Sequence, residues 1–385
     1  MLSVIEILWA QSTGWLGHHI ILPILEFLHI TKYTDSPTDI AATLMIGCLQ
    51  LLIIGGLFRP LENLIPAEKW EDRRYAHIDF HLTWLMLIGL FPLFAFLLLT
   101  PIVNYFGGIS PSVGDEAWSI RSQFPWLKDH PWVFFILYYL TYDLVYYWMH
   151  RIQHVLPWWW AMHSFHHSQR QMSCWTNDRT NYLDGMGQSF VLAGVGIFFG
   201  VTGEEFVWLL LLGELVQNFS HANVRIGFGP VLGRILVSPE FHRHHHMDFV
   251  PERPTLHNCN FGQVFAIWDV IFKTALYNEP IHSTGVTGDK MVDIDNNKGI
   301  IGVQIESLKR FWGSVTCLDG WKLGGVVFSK NYRPIHMTKV AKGQKLVFKS
   351  HLKTDALIPI DQSLKENKEH QLVDSCHDDS KEKNK

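Results

Sequence analysis

The sequence predicts an all-α integral membrane protein: three to four transmembrane helices capped by a cytosolic, helical, histidine-rich metal domain. Three observations lead there. Long apolar runs almost free of charge precede residue 150. Charged residues make up only 18% of the 385-residue chain, below the roughly 25% of an ordinary soluble domain. Ten of the 22 histidines fall between His150 and His246.

The bulk numbers exclude several classes. Lys+Arg at 32 against Asp+Glu at 36 leaves a net charge of −4, too balanced for a nucleic-acid binder. The five cysteines (Cys48, Cys174, Cys259, Cys317 and Cys376) are odd in number and form no CxxC pair. That argues against a disulfide framework and a zinc ribbon, and suits a reducing compartment. The first residues hold no basic segment and no small-residue cleavage site, so a removed signal peptide is not expected.

Residues 40–58 carry no charge and stop at Arg59-Pro60. As a helix they rise about 28 Å, matching a bilayer core of ~30 Å. Residues 82–105 form a second expected span, with a tolerable Pro92, and 132–149 a third, rich in aromatics and carrying Asp143. The stretch 4–30 is apolar but broken by Gly14, Gly17 and the His18–His19 pair, and reads equally as a fourth span or an interfacial helix. Residues 190–201 and 206–216 are each too short to cross, and Gly203-Glu204-Glu205 separates them. They are expected to form a re-entrant or surface-embedded hairpin.

Basic residues orient the chain. Arg59, Lys69, Arg73 and Arg74 lie between the first two spans, whereas the next loop holds only Arg121 and Lys128. The positive-inside rule places the first loop, and therefore everything from His150 onward, in the cytosol. Four regions result: a transmembrane region over 1–130, the histidine domain over 131–277, a cytosolic appendage over 278–362 and a charged, disordered tail over 363–385. The terminal Lys-Glu-Lys-Asn-Lys also fits a dilysine-type retrieval signal in a eukaryotic host.

The histidines fall into boxes: His150-Arg-Ile-Gln-His154, His163-Ser-Phe-His166-His167 and His242-Arg-His-His245-His246. Residues three and four apart share one helix face, so each box turns two or three imidazoles toward one point. Two such sets facing each other make a cage for two metal ions. Neutral imidazole suits iron, zinc and copper, and each ring needs an acceptor for its other nitrogen. Asp143, two helical turns before His150 on the same face, is the candidate acceptor for a ligand ring's other nitrogen, because an intramembrane carboxylate is a functional suspect. His221 ends the hairpin that follows the second box and is favoured as a further ligand. His257 remains open, His244 occupies the variable slot of its box, and His18, His19, His77 and His81 read as interfacial or structural.

Three function classes compete on these residues: an oxygen-dependent enzyme, a histidine-rich membrane metal transporter or metal-binding protein, and a zinc hydrolase. A transporter wants its ligands at mid-membrane depth on at least two spans, whereas these boxes begin where the third span ends. A hydrolase wants HExxH or a carboxylate base, and neither is present.

The boxes HRIQH, HSFHH and HRHHH, with Tyr142-Asp143, Tyr147-Trp148, Ser238-Pro239-Glu240-Phe241, Asn260-Phe261-Gly262 and Trp268-Asp269 around them, resemble the fatty acid hydroxylase and sterol desaturase superfamily. The resemblance covers roughly 131–274. It implies an integral membrane, non-haem di-iron oxygenase that hydroxylates or desaturates a lipid (a sterol, fatty acyl or ether lipid) with O2. The ligands it implies are His150, His154, His163, His166, His167, His242, His245 and His246, with His221 as the additional one. Electrons would come ultimately from NAD(P)H through a cytochrome or ferredoxin-type reductase partner, since no Gly-rich dinucleotide fingerprint is present. The substrate would enter from the bilayer. The membrane would be the endoplasmic reticulum in a eukaryote and the inner membrane in a bacterium.

Overall fold

The computed structural model describes residues 2–31, 36–73, 76–88, 118–201, 203–248, 256, 258–286 and 294–316. Among them the chain is helical, with isolated bridges and no strand. α1 (Leu2–Leu16) continues through a π turn, Gly17–Ile21, into α2 (Leu22–Phe27). α3 (Pro37–Ile53) and α4 (Arg59–Leu64), joined by the π turn Ile54–Phe58, run as one 28-residue helix. It starts where Ser36 leaves the extended region and Pro37 takes the first turn, a position that needs no N–H. Gly47 lets α3 and α5 (Ala76–Leu87) touch, because a Cβ there would collide with the Leu87 carbonyl oxygen.

The histidine-bearing half is built from sharply delimited helices. α6 (Pro131–Val155) and α7 (Pro157–His167) both carry proline at their starts. Leu156 lies in extended geometry between them, as a residue before proline prefers, and the chain reverses there. The Asn181 side chain caps α8 (Tyr182–Phe199), which closes on Gly200 at φ +76°, a conformation glycine adopts at no steric cost. α9 (Gly203–His221) follows. Ser238 caps α10 (Pro239–His245) by accepting from Phe241 N–H at 3.2 Å. α11 (Ile300–Thr316) packs along α7.

Two apolar clusters hold these helices together. Phe134, Tyr138, Tyr142, Leu192 and Phe199 join α6 to α8. Leu51, Ile54 and Phe58 of the N-terminal helices pack on Cys174, Trp175, Ala222 and Val224, which flank the histidine boxes.

Among the described residues two helices are long and apolar enough to cross a membrane, Pro37–Leu64 and Tyr182–Phe199. The first contains the expected span 40–58. The second corrects the reading of 190–201 as too short: the helix starts eight residues earlier, its polar first turn being held by buried partners of Asn181 and Asp184. The expected span 132–149 is helical throughout. Its five tyrosines and Asp143 leave it less apolar than those two, and it buries many of them in the core. Of 82–105, residues 82–88 are described and the rest lie outside the described residues, as do His257, most of the expected appendage and the whole tail.

Candidate metal centre

Four helices end at one place. His150 and His154 occupy the last two turns of α6, His163, His166 and His167 the end of α7, His221 the last residue of α9, and His242 and His245 the end of α10, with His246 as its cap. A helix C-terminus carries the negative end of the macrodipole, so all four point favourable partial charge at a cation.

The nine histidines form two buried groups. His150, His154, His163, His167 and His245 make one, and His166, His221, His242 and His246 the other. Within each, one ligand atom per ring lies within 4.8 Å of the rest. The groups meet where the His167 and His246 rings stack at 4.3 Å. His244 stands apart, its Nε2 facing the Glu279 carbonyl at 3.0 Å.

The chemistry of this donor set fits metal. Burial, and then the neighbouring imidazoles, hold His166, His167, His242 and His246 well below the usual histidine range, and burial brings His221 down to about 4. The rings are therefore neutral at physiological pH, as ligands must be. His150, His221 and His245 donate Nδ1–H to the carbonyl oxygens of Phe261 (2.9 Å), Gln217 (2.8 Å) and Cys259 (2.8 Å), which leaves Nε2 for a metal. The buried Nε2 atoms of His150, His163, His167 and His246 have no hydrogen-bond partner in the protein, an expensive condition unless something else binds them. His221 Nε2 lies 3.2 Å from His166 Nε2 and 3.0 Å from His242 Nε2. Nitrogens about 2.1 Å from one ion stand roughly 3 Å apart when cis, so these spacings suit a shared ion.

The supports differ from the expected ones in one respect. Asp143 meets no ring of the centre: its carboxylate accepts from Val264 N–H (3.0 Å), Phe265 N–H (3.1 Å) and Trp268 Nε1–H (3.0 Å). Two helical turns place it about 10 Å along the axis from His150, beyond hydrogen-bond reach, so it acts on the loop that carries the Phe261 carbonyl. Asp269 grips the same loop, accepting from Phe261 N–H and Gly262 N–H at 2.8 Å each and from Thr274 Oγ1–H at 2.6 Å.

The carboxylate beside the rings is Asp184. It accepts from Gln153 Nε2–H (2.8 Å) and Trp159 Nε1–H (2.7 Å), and its other oxygen lies 3.5 Å from His163 Nδ1. Asp184 lies outside the boxes and their flanking motifs. The available signal was its place three residues after a capping asparagine in an otherwise apolar helix. Box three is further tied to the N-terminal half by the buried pair Arg243–Glu68 at 2.7 Å.

Residues 135–274 match the fatty acid hydroxylase family. This chain carries a fatty acid hydroxylase domain. That domain coincides with the segment, roughly 131–274, whose boxes resemble the fatty acid hydroxylase and sterol desaturase superfamily. Three curated relatives are alkylglycerol monooxygenases. That of Caenorhabditis elegans is 28% identical over 165 residues, 41% of this chain and 29% of its own. That of Homo sapiens is 31% identical over 150 residues, 39% of this chain and 32% of its own. That of Xenopus tropicalis is 29% identical over 152 residues, 40% and 32%. The matched part thus spans about a third of these relatives' length. No solved structure matches. The fatty acid hydroxylase domain contains all nine histidines, and family and donor set together point to iron.

Proposed function

We propose that the protein is a membrane-bound, non-haem di-iron monooxygenase acting on an ether lipid of the alkylglycerol class. The observation that carries the reading is the pair of adjoining all-histidine groups in a domain related to alkylglycerol monooxygenases. Five histidines would hold one ion and four the other. Bound iron would supply reduction of O2 and insertion of one oxygen atom into a C–H bond.

The chain's own part is to fix and to enclose. Carbonyls of Phe261, Cys259 and Gln217 set the tautomer of three rings, and Asp184 stands against a fourth. Near-complete burial of the histidines keeps bulk water from the centre. Substrate would arrive through the bilayer, with α3–α4, α6 and α8 as membrane helices and the centre on the cytosolic face. Electrons from NAD(P)H would pass through a cytochrome or ferredoxin-type reductase partner. The membrane would be the endoplasmic reticulum or a bacterial inner membrane according to host.

The test is incubation of the iron-loaded protein in lipid with a 1-O-alkylglycerol, a reductase system and isotopically labelled O2. The expected result is a product carrying one labelled oxygen. Loss of two hydrogens without oxygen gain would make it a desaturase, and an O2-independent reaction would overturn the oxygenase reading. The location of the histidines at helix ends, rather than along two spans, counts against the transporter alternative.

A further inference from the structure

Helix α11 is inside out. Its protein-facing side buries Ser307 and Arg310 beside Val303. Its outer side exposes Ile301, Ile305 and Trp312 at 75%, 47% and 66%, positions that fall along one helical stripe. Ser307 and Arg310 are both bound. Arg310 holds Asp295 with both terminal nitrogens (2.9 and 2.8 Å) and donates Nε–H to the Ala161 carbonyl at 3.1 Å. Ser307 Oγ accepts from Asn181 Nδ2–H at 2.6 Å, and Gln304 bonds Tyr182 N–H at 2.9 Å and the Thr180 carbonyl at 3.0 Å. A helix facing water presents the reverse pattern. The outward stripe calls for an apolar neighbour.

The position of α11 says which one. Its bonds to Asn181 and Tyr182 hold it across the first turn of α8, a helix long and apolar enough to cross a membrane. Farther along α8, Phe190, Val191, Ile197 and Phe198 are exposed. A segment lying across the start of a spanning helix lies at the level of the membrane surface. Trp312 and Lys309 are residue types that settle there, the tryptophan at the headgroup level and the lysine with its ammonium toward water. Lys309 is paired with Glu306 at 3.1 Å on the rim of the stripe.

We propose that α11 lies in the plane of the membrane with the Ile301–Ile305–Trp312 stripe in the headgroup–acyl boundary. Through Arg310 on Ala161, two residues before His163, and Ser307 on Asn181, it fixes the depth of the second histidine box relative to the lipid. The inference rests on α8 being a membrane helix, and its occupant is the lipid surface alone.

Full-length protein in phosphatidylcholine nanodiscs tests it. Cys48, Cys317 and Cys376 are replaced by serine, while Cys174 and Cys259 are buried. Single cysteines are introduced as Ile301→Cys, Ile305→Cys, Lys309→Cys, Trp312→Cys and, as a control on α8, Phe190→Cys. Each carries a polarity-sensitive fluorophore, and iron content checks folding. Labels at 301, 305 and 312 should be quenched several-fold more by a lipid quencher near the headgroup than by one near the chain end, and hardly by iodide. The label at 309 should respond to iodide. Iodide quenching at 305 and 312, or shielding from both quenchers by another part of the chain or a protein, overturns the proposal while lipid quenching at 190 stands. Absence of lipid quenching at 190 as well overturns the membrane reading itself.

Discussion

The Nδ1–H of His150 donates to the Phe261 carbonyl at 2.9 Å, and the N–H of that same peptide, on Gly262, is held by Asp269 at 2.8 Å. One peptide plane thus couples a ring of the centre to a buried carboxylate. Two and three residues on, Asp143 clamps Val264 and Phe265. Burial pushes Asp269 up to about 6 against the hydrogen bonds that pull it down, so the charged acceptor is retained at neutral pH.

Asp269→Asn leaves at least one of the loop N–H groups without an acceptor, at a cost of about 1–3 kcal/mol. Because the loop sets the His150 ring, iron affinity should fall about 10–100-fold. Asp143→Leu should act in the same direction through Val264, Phe265 and Trp268. Competition with a chelator measures both, and unchanged affinity in both variants would disprove the coupling.

Asp184→Asn tests the carboxylate beside His163. The amide can still accept from Gln153 or Trp159, but no longer offers a negative oxygen 3.5 Å from His163 Nδ1. A weakening of iron binding by about 10-fold or more is expected. Circular dichroism should show the helix content of the parent protein. Iron binding as tight as in the parent would remove Asp184 from the support of the centre.

The two groups predict different metal losses. His167→Ala strikes the five-membered group and His242→Ala the four-membered one, and each should drop bound iron below two per chain and abolish lipid oxidation. His244→Ala should keep its iron, since that ring faces the Glu279 carbonyl outside the groups. Elemental analysis of the three variants decides, and iron loss in His244→Ala equal to the others would contradict the grouping.

Acid should release the metal. His166, His167, His242 and His246 titrate below the ordinary histidine value of about 6.5, and His221 at about 4. The unfolded chain therefore takes up protons first as pH falls. The stability these rings contribute is complete above about 6.5 and is lost as pH drops through their folded values. Protons also compete with metal for the same nitrogens. Thermal midpoint and retained iron should both decline from about pH 6.5 downward, and a flat profile to about pH 4 would refute the argument.

Arg179 donates to Asp79 at 2.7 Å with both side chains fully buried, tying α5 to the segment after box two. Arg179→Ala leaves the buried Asp79 charge with hydrogen bonds from Gln169 and Thr176 but no countercharge, at a cost of about 3–5 kcal/mol for breaking a buried pair from one side. A lowered thermal midpoint of the detergent-solubilised protein is the expected reading. An Asp79→Asn, Arg179→Met double variant should recover much of the loss, and no recovery would mean that the pair does more than satisfy itself.

Much of this was legible in local spacing. Histidines at i, i+3 and i+4 share a face whatever the fold around them, so the boxes read directly, and Pro131, Pro157 and Ser238 mark helix starts by fixed backbone rules. The length of α8 was hidden because its first turns are polar, and those residues are accommodated by partners far away in the chain. Asp143 misled in the same way: helical phase put it on the face of His150, but phase carries no information about axial distance or about the loop that fills the gap.

By itself the sequence determined the helical class, the apolar segments and the eight box histidines, because each depends on periodicity within a few residues, and it offered His221 as a ninth. Only the tertiary structure decided how they divide into five and four, that Phe261, Cys259 and Gln217 fix the rings through backbone carbonyls, and that α11 turns its apolar stripe outward. Apart from the Gln217 carbonyl, one turn before His221 in the same helix, those outcomes depend on contacts between residues 14 to more than a hundred positions apart, which packing brings together and no local pattern encodes.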